Sequence, residues 1–265
     1  MTESKKDILE RIKKATVAVA YLNTADPNEP FTIVGSGFCI DPTGIVITCQ
    51  HVVEAFMEKN IAQQISEAPQ STGTSRFKPM SPGKTITPFA IFYDTARSRE
   101  HIFTILSHPK NLIAKPDKDL AAIQLSSHTR FPQGYPFLEI EQFEDISEGD
   151  DIGVCGFPLG NYLLKQLGTV TSSFTRGILS SIIPGPNVEL EYLDGFQLNV
   201  TATNGNSGGP VFSFDTGKVF GVLTSGVVHP NGGLVQGLVK AEPVYPVVEA
   251  DFIERLKKAP EMINC

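Results

Sequence analysis

The sequence predicts an all-β protein made of two six-stranded antiparallel β-barrels, with a short helix at each end. Three observations carry that expectation. Apolar residues recur with a period of two in short runs from Thr16 onward. Glycine, proline, asparagine and aspartate punctuate those runs at the places where a chain must turn. The strand signal lapses across 126–149, which holds Pro132, Gly134 and Pro136, and so divides the runs into two series. A chain of 265 residues has length enough for two lobes of roughly 100 residues, each with its own core.

The elements follow in order. Residues 4–14 place Ile8, Leu9 and Ile12 on one helical face, with Ser4 as the N-cap and Asp7 three residues on, so a short amphipathic helix opens the chain. Strands are predicted at 17–21, 32–40, 45–48, 89–93, 102–106 and 120–125, a set suited to a small closed barrel. Asp41-Pro42-Thr43-Gly44 joins two of them, with proline second and glycine fourth as a type I turn prefers. The polar stretch 58–88, with Pro69, Pro79, Pro82, Pro88, Gly73 and Gly83, reads as an insertion. Loops of that length are either plain surface disorder or functional, here a lid, a docking arm or a self-cleavage site. A second strand series occupies 151–156, 167–172, 177–183, 196–200, 210–214, 219–224 and 237–240. Val247, Val248, Phe252, Ile253 and Leu256 then stand at helical spacing. The expected layout is a helix at 1–14, a first barrel at 15–130, a connection at 131–149, a second barrel at 150–242, and a helix and tail at 243–265.

Composition narrows the function. Apolar residues make up 41% and charged residues 19%, ordinary for a globular chain, and the net charge of −7 comes without a basic cluster beyond Lys5-Lys6 and Lys13-Lys14. Nucleic acid is therefore not an expected partner. No run of apolar residues is long enough for a membrane span, and the first fourteen residues are polar instead of carrying a secretory apolar stretch. Cys39, Cys49, Cys155 and Cys265 show neither metal-ligand spacing nor a disulfide framework. Reduced thiols in a cytoplasmic protein are expected on that ground, with no metal and no cofactor.

The chemistry is concentrated in Gly205-Asn206-Ser207-Gly208-Gly209-Pro210. A serine among glycines sits where the backbone can approach a substrate carbonyl closely. Serine alone is a weak nucleophile and needs a base oriented by a third group. His51, after the β-branched run Ile45-Val46-Ile47-Thr48, is the candidate base, and Asp119, opening Leu120-Ala121-Ala122-Ile123, is the candidate orienting acid. Taken singly, His51 could be a buried histidine capping a strand, Asp119 a turn acid and Ser207 a polar loop residue. Asp117 competes with Asp119, but it follows Pro116 in a lysine-flanked loop without the apolar strand after it. His101, His108, His128 and His229 show no paired spacing.

Thr48-x-x-His51-Val52-Val53, Asp119-Leu120-Ala121, Gly168-Thr169-Val170-Thr171 with Gly177-Ile178-Leu179-Ser180, and the Ser207 turn together resemble trypsin-like serine peptidases of the HtrA/Deg type. Asn206 before the serine points to that branch, and matching segments run over 17–257. The resemblance implies a trypsin-like double barrel in which His51, Asp119 and Ser207 form a triad and hydrolyse peptide bonds through an acyl-enzyme. It implies an oxyanion hole at Gly205, Asn206 and Ser207, with the N–H groups of Gly205 and Ser207 as donors. It places Thr201, Ala202, Thr203, Thr224, Ser225, Gly226, Val227 and Gly237 around the substrate. No carboxylate stands among these, so small or medium aliphatic side chains are expected before the scissile bond, in place of arginine or lysine. Thr224 resembles the hydroxyl residue that supports the triad acid. Residues 225–227 are expected to bind an extended protein or peptide segment as an added strand. HtrA-type enzymes are often trimers, so a homo-oligomer is expected as readily as a monomer. They usually carry a PDZ domain after the protease domain, and none follows in this sequence. An inactive or latent protease fold that holds polypeptides is the alternative reading, and an esterase using the same triad is a third.

Overall fold

The computed structural model describes residues 3–23, 31–54, 75–76, 86–95, 102–167, 170–185, 193–228 and 234–261. Most of the insertion read at 58–88, together with His101, His229 and Cys265, lies outside them. Helix α1 (Lys5–Ala15) is capped by Ser4, whose hydroxyl accepts the Asp7 N–H, and it buries Ile8 and Ile12. Then come β1 (Thr16–Asn23), β2 (Phe31–Asp41), β3 (Ile45–Cys49), the single-turn α2 (Gln50–Glu54), β4 (Ser75–Arg76), β5 (Ile86–Thr95), β6 (Ile102–Ser107), β7 (Pro109–Lys115) and β8 (Leu120–Leu125). They form one antiparallel sheet in the order β4-β7-β8-β3-β2-β1-β5-β6. The second lobe comprises β9 (Asp151–Gly156), α3 (Gly160–Leu167), β10 (Ser173–Pro184), β11 (Leu193–Asn199), β12 (Pro210–Ser213), β13 (Val219–Val228) and β14 (Leu234–Pro243). Its six strands close a barrel in the order β10-β11-β14-β13-β12-β9. Helices α4 (Tyr245–Val248) and α5 (Ala250–Lys258) follow.

The architecture is the trypsin-like double barrel, with two departures in detail. The first lobe has eight strands where six were expected. Strand β7 was hidden because Pro109 and Pro116 bracket its apolar residues, although proline is tolerated at a strand's first position. Pro88, assigned to the insertion, lies in β5 beyond its last pair with β6, Ala90 with Ser107. Of the strand expected at 167–172, Leu167 instead ends α3 and the described residues 170–172 form no strand. A tertiary contact decides that: the Asn161 side chain brackets Ile33 of β2, accepting its N–H at 2.5 Å and donating to its carbonyl at 2.8 Å.

Both terminal helices pack on the first lobe. Ile8 and Ile12 of α1, and Phe252 and Leu256 of α5, share one core with Phe38, Ile45, Ile47, Leu112 and Ile123. Asn111 of β7 fixes the end of α5, donating to the carbonyls of Leu256 and Lys257 at 3.3 Å each. The second core gathers Ile152, Val154, Leu179, Leu198, Phe196 and Phe220. Its last two rings meet edge to face at 5.2 Å. Each lobe thus offers a stiff wall to the loops between them.

Candidate active site

Strand β3 ends at Cys49 and β8 begins at Leu120, and these two residues are register partners. The flanking residues His51 and Asp119 are therefore brought side by side. Asp119 closes a 3₁₀ turn (Pro116–Lys118) in a left-handed conformation, φ 49° and ψ 37°, which aspartate tolerates better than most residues. That geometry lets one residue hold the β3–α2 junction three times. Its carbonyl accepts the Gln50 N–H at 3.1 Å, its Oδ1 accepts the His51 N–H at 3.1 Å, and its Oδ2 lies 2.8 Å from His51 Nδ1. The hydrogen bond to the Asp119 carboxylate holds the imidazole above its ordinary pKa, against a smaller opposing effect of burial. Asp117 points elsewhere and pairs with Lys115 at 3.3 Å.

The Ser207 turn is built from alternating peptide orientations. The Asn206 N–H donates to Thr203 O at 3.1 Å and the Gly208 N–H to Leu223 O at 2.7 Å. The alternate Gly205 and Ser207 N–H groups meet no acceptor among the described residues. Each of those peptides has its carbonyl engaged instead: Asn204 O accepts from Leu159 N at 2.7 Å and Asn206 O from Gly209 N at 3.0 Å. In a trans peptide the N–H points opposite to the carbonyl. The two donors thus point away from the Leu159 and Gly209 N–H groups that hold those carbonyls, an arrangement that suits an anion. Glycine is required at 208, where φ is +88° and a Cβ would come within 2.0 Å of Ser36 O.

Ser36 of β2 locks this turn from the other lobe. Its N–H donates to Ser207 O at 2.8 Å, its hydroxyl donates to Gly205 O at 2.6 Å, and the same hydroxyl accepts the Phe157 N–H at 2.9 Å. Sequence reasoning missed it, and Gly35-Ser36-Gly37 was the available signal. Replacing Ser36 with alanine leaves a buried N–H and a carbonyl without partners. A loss of about 1–3 kcal/mol is expected, read as a lower urea midpoint at unchanged m-value.

The Ser207 hydroxyl donates to the Thr224 carbonyl at 2.9 Å, so its proton is not directed at His51. The Thr224 hydroxyl donates to Lys240 O at 3.1 Å, not to Asp119, so the expected support of the acid by Thr224 is not made. Thr201 and Gly237 line one cavity of about 330 Å³ with Arg176, Asn199 and Val200. Arg176 is paired with Asp151 at 2.7 Å. The Thr203 hydroxyl is buried without a partner among the described residues. Gly226 pairs with Val239, and Ser225 with Lys240, in the β13–β14 ladder.

Two antiparallel lobes, a His–Asp pair on one and a glycine-bounded serine on the other, define the class of double-barrel serine peptidases. The model of the trypsin-like peptidase domain matches residues 35–222, and the chain belongs to that family, in its HtrA/Deg branch. It is 32% identical over 222 residues to the "Probable periplasmic serine endoprotease DegP-like" of Rickettsia conorii, covering 79% of this chain and 39% of that protein. A protein of the same name from Chlamydia pneumoniae is 23% identical over 210 residues, covering 79% and 32%. The chain thus spans about two fifths or less of the curated relatives it matches. Among solved structures, the HtrA-type protease AlgW with a decapeptide aligns at a TM-score of 0.59 and 18% identity, covering 95% of this chain and 68% of that one. Deg5 aligns at 0.58 and 18%, covering 92% and 90%.

These relatives overturn the cytoplasmic expectation, because their names place them in the periplasm. The cysteines misled for a physical reason. Cys39, Cys49 and Cys155 are all buried as free thiols. Burial pushes Cys39 up to about 12 and Cys155 to about 11. Thiols so shielded persist unpaired in any compartment, and so report nothing about it.

Proposed function

We propose that this chain is a periplasmic serine endopeptidase that cleaves extended polypeptide segments through Ser207, His51 and Asp119. The observation that carries the reading is the pairing of a carboxylate-held imidazole with a serine turn whose two flanking N–H groups are unclaimed. His51 Nε2 takes the Ser207 proton as Oγ attacks the carbonyl, then returns it to the leaving amine. Asp119 keeps the other ring proton on Nδ1 and stabilises the imidazolium. The Gly205 and Ser207 N–H groups receive the oxyanion, each such donor being worth about 2.7–4 kcal/mol in the transition state.

The resting hydroxyl must first leave the Thr224 carbonyl. A substrate adding as a strand along 225–227 would bring its own N–H to that carbonyl and release the serine to His51. Small or medium aliphatic side chains are the proposed preference, since the cavity lined by Arg176, Asn199, Val200, Thr201 and Gly237 holds no carboxylate to pair with a basic side chain. Peptide-bound AlgW supports a peptide substrate, and association of several copies of this chain belongs to the same proposal.

The test is intact mass after exposure to a fluorophosphonate, with digestion to map the adduct, alongside turnover of a peptide library. Labelling at Ser207 and cleavage after Val, Ile, Ala or Leu are expected; cleavage mainly after arginine would refute the preference. The Ser207–Thr224 bond favours one second reading, a latent fold that holds polypeptides. A folded sample that stays unlabelled even with bound peptide would establish that reading instead.

The rate should also depend on pH with a definite sign. The base must be neutral to act, and the Asp119 bond raises the pKa of His51 above its ordinary value of 6.5. The acidic limb of kcat/KM is therefore expected to fall away as pH drops through a value above 6.5. A limb centred below that value would show that Asp119 does not hold the ring.

A further inference from the structure

Cys49 has no part in the proposed hydrolysis, yet it is set against two residues that do. The Cys49 Sγ, a ring nitrogen of His51 and a carboxylate oxygen of Asp119 all lie within 4.8 Å of one another. Among the described residues no other group of three such ligands gathers so closely. The geometry points to an inhibitory site for a soft divalent cation of the zinc type, bound by Cys49 Sγ, His51 Nδ1 and Asp119 Oδ2, with water in the fourth position. Its functional consequence rests on the peptidase reading; its existence does not.

The donor set and its setting support this. Thiolate, imidazole and carboxylate together match a borderline-soft ion and are poorly matched to magnesium or calcium. At metal–ligand distances of about 2.0–2.3 Å, tetrahedral ligands stand roughly 3.3–3.7 Å apart, so His51 Nδ1 and Asp119 Oδ2, now 2.8 Å apart, need only part slightly, and Cys49 Sγ starts within 4.8 Å of both residues' ligand atoms. Access is open on one side: the His51 and Asp119 side chains are 46% and 38% exposed, while Cys49 closes the site from the core. The frame is already fixed by the His51 N–H on Asp119 Oδ1 and the Gln50 N–H on the Asp119 carbonyl.

Binding exchanges a proton for metal. The Cys49 thiol now donates to Leu223 O at 3.2 Å. It would lose its proton to solvent as sulfur takes the cation, while the His51 ring proton would shift from Nδ1 to Nε2, so that the ring ligates through Nδ1 and stays neutral. The His51–Asp119 hydrogen bond is then replaced by two bonds to the metal. The imidazole that should receive the Ser207 proton becomes a ligand, held by the wrong nitrogen and stripped of its orienting bond. The cation therefore blocks turnover without entering the substrate cleft.

The experiment titrates the metal-stripped chain with Cd²⁺ and follows thiolate-to-metal charge-transfer absorbance, with Zn²⁺ as competitor. A saturable band is expected in the native chain, retained in Cys39→Ser and Cys155→Ser and lost in Cys49→Ser, with Cys49→Ala as the substitute should serine disturb the core. His51→Ala should weaken binding by about tenfold or more. In parallel, Zn²⁺ should slow peptide turnover, and Cys49→Ser, scaled to its own metal-free rate, should be at least about tenfold less sensitive. Absence of the band at millimolar Cd²⁺, or its persistence in Cys49→Ser, overturns the site. A chain that shows the band but no turnover under any condition keeps the site and rejects the peptidase reading.

Discussion

Replacing Ser207 with alanine is expected to lower kcat on a cleavable peptide by about 10⁶, leaving only the residual rate that binding and oxyanion stabilisation supply. No neighbouring oxygen can substitute. The Ser36 hydroxyl is committed to Gly205 O and the Thr224 hydroxyl to Lys240 O. The fold should survive, because among the described residues the Ser207 hydroxyl makes one hydrogen bond, to the Thr224 carbonyl. Losing that bond costs about 1 kcal/mol. Steady-state kinetics and fluorophosphonate mass labelling on the same preparation check the expectation, with a urea melt to show the variant folded. Turnover within tenfold of the native rate would mean that the observed cleavage belongs to another nucleophile or to a contaminant.

That prediction could be framed from the sequence, because each member of the triad sits in a local pattern that implies its chemistry. A base after a β-branched strand, an acid before another and a serine among glycines are legible one by one. Their supports were not. Ser36 reaches the Ser207 turn from 171 positions away in the chain, and its Phe157 partner lies 121 positions from Ser36; no period or spacing encodes such contacts. The same limit explains the fold. The two series of strands were visible as alternation, but β7 was masked by its flanking prolines, and α3 is fixed by Asn161 gripping the backbone of Ile33. His51 was read as the end of a strand, whereas it lies one residue into α2. Cys49 was counted as one cysteine of four without metal spacing. Only the β3–β8 register, which sets Cys49 opposite Leu120, brings it to His51 and Asp119.

Asp119 poses the sharper test, since its side chain is partly exposed and could be taken for an acid that merely starts a strand. Asparagine is the right replacement. It shares aspartate's tolerance for the left-handed conformation, and its Oδ1 can still accept the His51 N–H that Asp119 Oδ1 now holds at 3.1 Å. What changes is the group facing Nδ1. An amide presenting N–H there forces Nδ1 to accept, which moves the ring proton to Nε2, the nitrogen that should receive the serine proton. The expected loss in kcat is about 10⁴. The stability change should stay within about 1 kcal/mol, because an ion pair this exposed is screened by solvent. The pH profile adds an independent sign. The carboxylate is the chief cause of the raised His51 pKa, so its removal should move the imidazole titration to lower pH, measurable by NMR whatever the residual rate. Titration that does not move, together with a rate loss under tenfold, would make Asp119 a structural acid. The base would then have to be held by something other than the bond that now joins it to β8.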